Sequence, residues 1–446
     1  IFKTYDIRGL YPNEINEEAA YKIGQGLAQF FKAKKFMIAR DIRLSSEALS
    51  NSVIRGITSQ GVDIIDIGLS STSCFYYTLA NSLEADCGLI ITASHLSKEF
   101  NGMKPMYKGA IPPTKEQLIE MKNFIIENKF SDSPNLGKIE TKDTAEKYIE
   151  AVRNLIKRKL KPLKIVVDPG NGMAGLYVEK VLTGTNLNII PIYTELDGNF
   201  PNHETNPKIP ENRKKISEKI KEENADLGFM FDGDADRLCV IDRNGEVIDP
   251  SLIMALISEY LVANSSRKKI LVETRTSRVV YDWVEKAGGK VEMTSCWTIP
   301  IKLKMFSDSE IVFGGETSGH YIFSDLNNTD DGILGMIIFL QAISAKEKNI
   351  DEINKEFKEK YFVIEETNFE INSKEKVAKI LTKLEEQYSA EGGKILKVDG
   401  LSVIYPEWWF NLRASNSEPV IRLNLEANSK ELMETKRDEL LKLVKS

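Results

Sequence analysis

Three aspartates stand at alternate positions in Asp232-Gly-Asp234-Ala-Asp236-Arg237, directly after the apolar run Leu227–Phe231. Carboxylates this close repel one another unless a positive charge sits between them, and a hard divalent cation with oxygen ligands is the simplest solution. A solvated acidic turn can carry the same letters, but the apolar run before it anchors this loop on a core. An EF-hand needs glycine at the sixth loop position and glutamate at the twelfth; Arg237 and Arg243 stand there instead. Three carboxylates leave a coordination position open to water or to a phosphate oxygen, which suits Mg²⁺ working with a phosphoryl group.

Three further stretches carry polar groups in patterns that could do chemistry. Thr92-Ala-Ser94-His95 follows the apolar Gly88–Ile91 and sets an imidazole beside a hydroxyl, the makings of a nucleophile with a base. Ser and His are also neighbours by chance, and the G-x-S-x-G of many hydrolases is absent. The chain has three histidines. His95 and His320 both fall in polar loops at strand ends, whereas His203, in Pro-Asn-His-Glu, reads as structural. In Gly314-Gly-Glu316-Thr-Ser318-Gly-His320 the glycines let the backbone approach a ligand, and Glu316 and Ser318 can take neighbouring hydroxyls of a polyol; a flexible glycine loop is the alternative. Arg413-Ala-Ser415-Asn416-Ser417-Glu-Pro, with Arg422 after it, crowds donors into a turn-prone stretch. Such a turn is either plain or an anion nest, and the arginine fork matches phosphate oxygens.

The elements that must position these groups follow from apolar periodicity. Short β-rich runs (36–39, 62–67, 88–91, 165–167, 187–193, 227–231, 270–272, 311–313) alternate with amphipathic helical stretches such as 17–32, 114–128 and 251–264. This alternation predicts an α/β protein with parallel or mixed sheets. Three of the motifs sit where a strand ends, and open α/β sheets bind ligands outside the carboxyl ends of their strands. Three such units facing one cleft are therefore expected. The polar stretch 131–141 reads as a first linker, and Asp242-Arg-Asn-Gly245 as a hairpin turn closing the second unit. From about Phe362 a strand, a helix (374–387), several strands and a last helix (430–444) predict a small α+β domain. The resulting division is 1–140, 141–247, 248–360 and 361–446.

At 446 residues the chain exceeds one hydrophobic core. A net charge of −6 gives no electrostatic case for nucleic acid or an anionic membrane, so any phosphate must be gripped by a local basic cluster. The four cysteines match no zinc or CxxC spacing and read as cytosolic and reduced. The apolar run 333–340 is too short to cross a bilayer, and the first residues do not look like a signal peptide. A cytoplasmic location is the expectation.

Taken in order, these motifs resemble the α-D-phosphohexomutase superfamily, and within it the phosphomannomutase/phosphoglucomutase group. Phe2-Lys-Thr-Tyr-Asp-Ile-Arg-Gly9 is similar to that family's N-terminal signature, and the serine, aspartate, Glu-x-Ser-Gly-His and C-terminal phosphate loops follow in the family's order. The resemblance implies a heart-shaped, four-domain protein with three α/β mixed-sheet domains and a C-terminal α+β domain. It implies that Ser94 carries the phosphoryl group and that Asp232, Asp234 and Asp236 bind Mg²⁺, whose remaining position takes an oxygen of phospho-Ser94. It assigns sugar hydroxyls to Glu316 and Ser318, and the non-reacting phosphate to Arg413, Ser415, Asn416, Ser417 and Arg422. It sets Tyr5, Arg8, His95, Lys104, Arg237 and His320 around the transferring group. The implied reaction interconverts hexose 1-phosphate and hexose 6-phosphate through a hexose 1,6-bisphosphate.

The chain departs from the family pattern at three places. Leu96-Ser97 stands where the serine loop usually continues with Asn-Pro. Cys296-Trp297-Thr298 stands where a Gly-His pair is common, and Ser417 replaces a threonine. The sugar (mannose, glucose or glucosamine), the general base (Lys104 or His95) and the oligomeric state stay open at this level. So do two rivals: a sugar-phosphate sensor that never carries phosphate on Ser94, and a phosphatase with Asp232 as nucleophile.

Overall fold

The computed structural model describes residues 1–364, 366–370, 374–414 and 420–445. The strands gather into four sheets. In the first, Lys35–Arg40 lies between Asp63–Leu69 and Cys87–Ile91, all parallel; Phe100–Tyr107 and Ile7–Leu10 extend one edge by antiparallel pairing. Ile139–Thr141 adds a parallel edge strand to Asp63–Leu69. The stretch 131–141 is therefore not only a linker: its end is exposed sheet edge, where three residues offer no buried face that a periodicity could register.

The second sheet sets Lys164–Asp168 between Asn188–Pro191 and Leu227–Phe231 in parallel, and Leu238–Asp242 returns antiparallel. The turn at Asp242–Gly245 leads back to a bridge between Ile241 and Val247, as a hairpin turn requires. The third has Lys269–Glu273 between Lys290–Thr294 and Ile311–Gly315, again parallel, with two short antiparallel strands beyond. The fourth is antiparallel and carries the helices Lys374–Ala390 and Lys430–Lys445. Three mixed α/β sheets and a C-terminal α+β unit are thus present.

Helix ends are set by local chemistry. Asn16 caps Glu17–Phe31 by accepting the Ala19 N–H, and Thr114 with Gln117 forms a reciprocal capping box on Lys115–Glu127. The first sheet has separate cores on its two faces, while the second and third sheets share one. Gly332–Ser344 runs through that shared core, buried from Gly332 to Ile343, which accounts for its apolar run. Among the described residues no helix is long and apolar enough to cross a membrane.

The fourth unit has its own core and meets the third across a cavity of about 580 Å³ bordered by Arg278, Tyr281, Tyr361 and Trp409. Glu426 lies at this joint, 1% exposed; its Oε1 accepts the Arg278 N–H (3.2 Å), and its Oε2 has no partner among the described residues. Burial pushes its carboxyl up to about 7 from 4.5. Between those values the folded chain holds a proton that the unfolded chain releases, so stability is lost as pH rises. Thermal unfolding followed from pH 4.5 to 8 should show a loss on the order of 3 kcal/mol from this group. Glu426→Gln should flatten that slope, and an unchanged slope would remove Glu426 from the account.

Candidate active site

The three sheets present the carboxyl ends of their parallel strands to one cleft, and each contributes a polar loop there. From the first sheet comes Ser94, 3% exposed and with φ +52°, a left-handed conformation that costs a serine roughly 1 kcal/mol. Its N–H donates to Thr92 Oγ1 (3.0 Å). Its Oγ donates to Asp232 Oδ2 (2.9 Å) and lies 3.2 Å from His95 Nδ1.

Arg43 holds that loop in place. Its guanidinium is buried and donates to four loop carbonyls: Ser94 (2.8 Å), Leu96 (2.6 Å), Ser97 (2.7 Å) and Phe100 (3.1 Å). The remaining Nε–H goes to Asp41 Oδ2 (3.2 Å). The loop's rigidity therefore resides in side-chain-to-backbone bonds, for which Leu96-Ser97 serves as well as any pair. Gly233 lets the second sheet's loop approach, since a Cβ there would lie 2.8 Å from the Ser94 carbonyl.

Asp232, Asp234 and Asp236 are buried, and one oxygen from each lies within 4.8 Å of the others. Lys104 Nζ binds Asp234 Oδ2 and Asp236 Oδ2, each at 2.8 Å. Thr72 Oγ1 also donates to Asp234 Oδ2 (2.6 Å). Asp234 Oδ1 is buried without a hydrogen bond among the described residues, and Asp236 Oδ1 meets only His320 Nε2, 3.3 Å away. Burial and the charges of Asp236 and Asp234 push the Asp232 carboxyl well up. An orphaned carboxylate oxygen on Asp234 and the upward push on Asp232 fit a bound metal ion. A second acidic group, Asp236, His320 and Asp330, shares Asp236 with the triad, and Lys302 pairs with its Asp330 at 2.8 Å.

Lys104 and His95 differ as bases. Burial works against the Lys104 ammonium, but Asp234 and Asp236 carry it well above its ordinary value. Burial, Arg237 and Arg8 push His95 well below its ordinary value, leaving a neutral imidazole against Ser94. Arg8 itself is paired with Asp6. Arg237 Nε lies 3.6 Å from Asp232 Oδ2 and 3.2 Å from His320 Nε2.

Two groups compete for that His320 nitrogen: Arg237 needs a lone pair there, and Asp236 Oδ1, 3.3 Å away, needs a proton. Against burial and Arg237, the Asp236 and Glu316 carboxylates prevail and carry the imidazole up to about 9. Its Nδ1 meets Ser318 Oγ (2.7 Å) and Glu316 Oε2 (3.2 Å). Gly319, at φ +94°, makes the turn between them, and a Cβ there would lie 2.7 Å from the Leu238 carbonyl.

Thus Ser94, His95, Lys104, Asp232, Asp234, Asp236, Arg237, Glu316, Ser318 and His320 meet in one cluster. Arg413 and Arg422 do not join it directly: Glu366 accepts from both, at 2.9 and 3.4 Å, and from Asn424 Nδ2. Ser415, Asn416 and Ser417 lie outside the described residues. Arg275 links the two clusters, with Nη2 3.1 Å from Glu316 Oε1 and Nη1 3.9 Å from Glu366 Oε2, while Glu273 holds its Nε at 2.9 Å. Tyr5 rests against Trp297. His203 is structural as expected, pairing with Asp168 (3.1 Å).

Sequence reasoning passed over Arg43, Arg275 and Glu366. The first two stand in polar loops after the strands Lys35–Arg40 and Lys269–Glu273, so the strand-end rule already contained their signal.

Known proteins place this geometry. Four successive family descriptions match: phosphoglucomutase/phosphomannomutase alpha/beta/alpha domain I over 1–132, domain II over 146–245 and domain III over 249–361, and the C-terminal domain over 366–443. A phosphomannomutase of Escherichia coli is 32% identical over 455 residues, covering 100% of this chain and 99% of that protein. The phosphomannomutase/phosphoglucomutase of Pseudomonas aeruginosa PAO1 is 33% identical over 438 residues, covering 97% and 93%. The crystal structure of a phosphoglucomutase/phosphomannomutase family protein from Burkholderia thailandensis superposes with a TM-score of 0.88 at 29% identity, covering 100% and 97%. The acidic triad at the meeting point of three strand-end loops fits a metal-dependent member of that group, and the chain belongs to the phosphoglucomutase/phosphomannomutase family of the α-D-phosphohexomutase superfamily, as a hexose-phosphate mutase.

Proposed function

We propose that the chain interconverts the 1- and 6-phosphates of mannose and glucose through phospho-Ser94 and a hexose 1,6-bisphosphate, with Mg²⁺ on Asp232, Asp234 and Asp236. The observation that carries this reading is the Ser94 hydroxyl, 2.9 Å from Asp232 inside the buried triad. A phosphoryl group on that oxygen would add the ligand that three carboxylates lack, so Ser94 completes the metal's ligand set. When bound, Mg²⁺ supplies positive charge to the non-bridging phosphoryl oxygens.

The chain's own residues divide the remaining work. The sugar phosphate docks its non-reacting phosphate on Arg413 and Arg422, with Ser415, Asn416 and Ser417 as further donors. Glu316 and Ser318 hold ring hydroxyls, Tyr5 and Arg8 close the near side, and His320 and Arg237 add positive charge. In the first transfer the bond from phosphorus to Ser94 Oγ breaks, the bond to the sugar's O6 forms, and the 6-hydroxyl proton moves to a base that passes it to the departing Ser94 Oγ. His95 is the base we assign, since it is neutral while Lys104 is spent on two carboxylates. The bisphosphate then turns end for end. Its 1-phosphoryl group passes to Ser94, O1 takes the proton back, and hexose 6-phosphate leaves.

The same anion site serves either phosphate, and the fourth domain, with a core of its own, moves to deliver it. Free bisphosphate serves to phosphorylate Ser94 at the start. No nucleic-acid or membrane partner is proposed. The four free cysteines accord with a cytoplasmic location.

The test is a ³¹P NMR time course on mannose, glucose and glucosamine 1-phosphates with Mg²⁺ and a trace of bisphosphate. Growth of a 6-phosphate signal without inorganic phosphate is expected. Inorganic phosphate alone would replace the mutase with a hydrolase, and binding without conversion would favour a sensor. Ser94→Ala should lower turnover by about a thousandfold or more while still binding metal. Asp234→Asn should raise the Mg²⁺ concentration needed for half-maximal rate by about tenfold or more; an unchanged titration would remove Asp234 from the metal site. Arg43→Met should cost about 3 kcal/mol in denaturant unfolding, because it strips four loop carbonyls and the buried Asp41 of their donor. It should also lower kcat more than it raises KM.

A further inference from the structure

The loop after Lys290–Thr294 lies at the same edge of the third sheet as Arg275 and Glu316, because Lys269–Glu273, Lys290–Thr294 and Ile311–Gly315 run parallel. Cys296 is tied down on both sides. Its Sγ is 3.2 Å from Glu273 Oε2 and 3.3 Å from Thr274 Oγ1, and its N–H donates to Asp399 Oδ2 (3.2 Å) of the fourth domain. The next residue, Trp297, is treated differently: it is 48% exposed and adopts φ +87°, ψ 144°, a region L-residues rarely enter. Its indole faces the Tyr5 ring of the first domain, with centroids 6.2 Å apart and planes at 52°. One short segment thus touches the first, third and fourth domains at the cleft.

A strained backbone is kept where something else over-determines it, and an exposed indole gains little from the protein's own packing. A ligand that covers the ring accounts for both features. We propose that Trp297, paired with Tyr5, is the sugar-facing wall of the cleft, covering the C–H face of the hexose ring and retaining the bisphosphate while it turns. The proposal rests on the mutase reading. An intermediate that must reverse its ends without escaping has to break its directional hydrogen bonds on the way. A flat aromatic surface makes no such demand, because a pyranose presents C–H groups to it whichever phosphate faces Ser94. The two phosphates are held by cations, and Trp297 supplies what they do not: a grip on the ring that is indifferent to direction.

The experiment compares wild type, Trp297→Ala and Trp297→Phe on glucose and mannose 1-phosphates. It reads KM, kcat and the fraction of bisphosphate released per turnover from enzyme labelled with ³²P on its phosphoserine. Trp297→Ala is expected to raise KM and bisphosphate escape by about three- to tenfold each, and Trp297→Phe to restore most of both. Wild-type KM and escape in Trp297→Ala would overturn the proposal, as would a loss that the phenylalanine does not repair. A fluorescence titration keeps the two readings apart. Hexose 1-phosphate should change the emission of the wild type, and Trp297→Phe should lack that change, whether or not turnover occurs. A chain that shows the signal but never converts substrate refutes the mutase alone. A chain that converts substrate without the signal, and with Trp297→Ala unaffected, refutes the role of Trp297 alone.

Discussion

Three carboxylates buried within 4.8 Å of one another set the electrostatic problem that the rest of the site answers. Each would cost several kcal/mol to bury as an ion alone, and their mutual repulsion adds to that. Lys104 meets two of them, Arg237 and His320 approach from the rim, and Thr72 gives a hydrogen bond. Even so, Asp234 Oδ1 has no hydrogen bond among the described residues, and Asp232 is pushed towards its neutral form. A bound metal ion would offset that unbalanced charge, so the features that make the site costly to fold also suit it to binding a cation.

The electrostatics would be of no use if the loops drifted, and the fold spends much of its polar bonding on preventing this. Arg43 gathers the carbonyls of residues 94, 96, 97 and 100 onto one guanidinium, which also lies 5.4 Å from the Phe200 ring of the second domain. Thr72 and Ser73, at the start of the helix Thr72–Ala80, bond to Asp234, Ala235 and Asp330, joining the first domain to the other two. The second and third sheets share a core. The serine loop is thereby fixed to within the reach of a hydrogen bond from the triad.

The fourth domain stands apart in this respect. Its core is its own, and its joint with the third domain encloses a cavity and the buried carboxyl of Glu426. A joint of this kind is less firmly closed than the contacts among the first three units. The arginines it carries are held ready by Glu366, and Arg275 ties that cluster to Glu316 on the sugar loop. The Glu316 and Glu366 clusters are thus connected through one guanidinium.

Features local in the chain were legible in its residues alone. An apolar strand followed at once by Ser94, by Asp232–Asp236 or by Glu316–His320 is a statement about adjacent residues, and the strand-end rule turns it into a cleft. The exposed edge strand Ile139–Thr141 escaped because no buried face marks it, and Glu366 escaped because nothing near it signals a site. What only the tertiary structure decided was which groups meet across distance. Arg43 is 51 residues from the Ser94 carbonyl it binds, and Arg275 is 41 from Glu316. The opposite shifts of His95 and Lys104 are of the same kind, since they turn on whose charges surround each group. Side-chain pairing and burial depend on how sheets pack, and packing is written in no single stretch of residues.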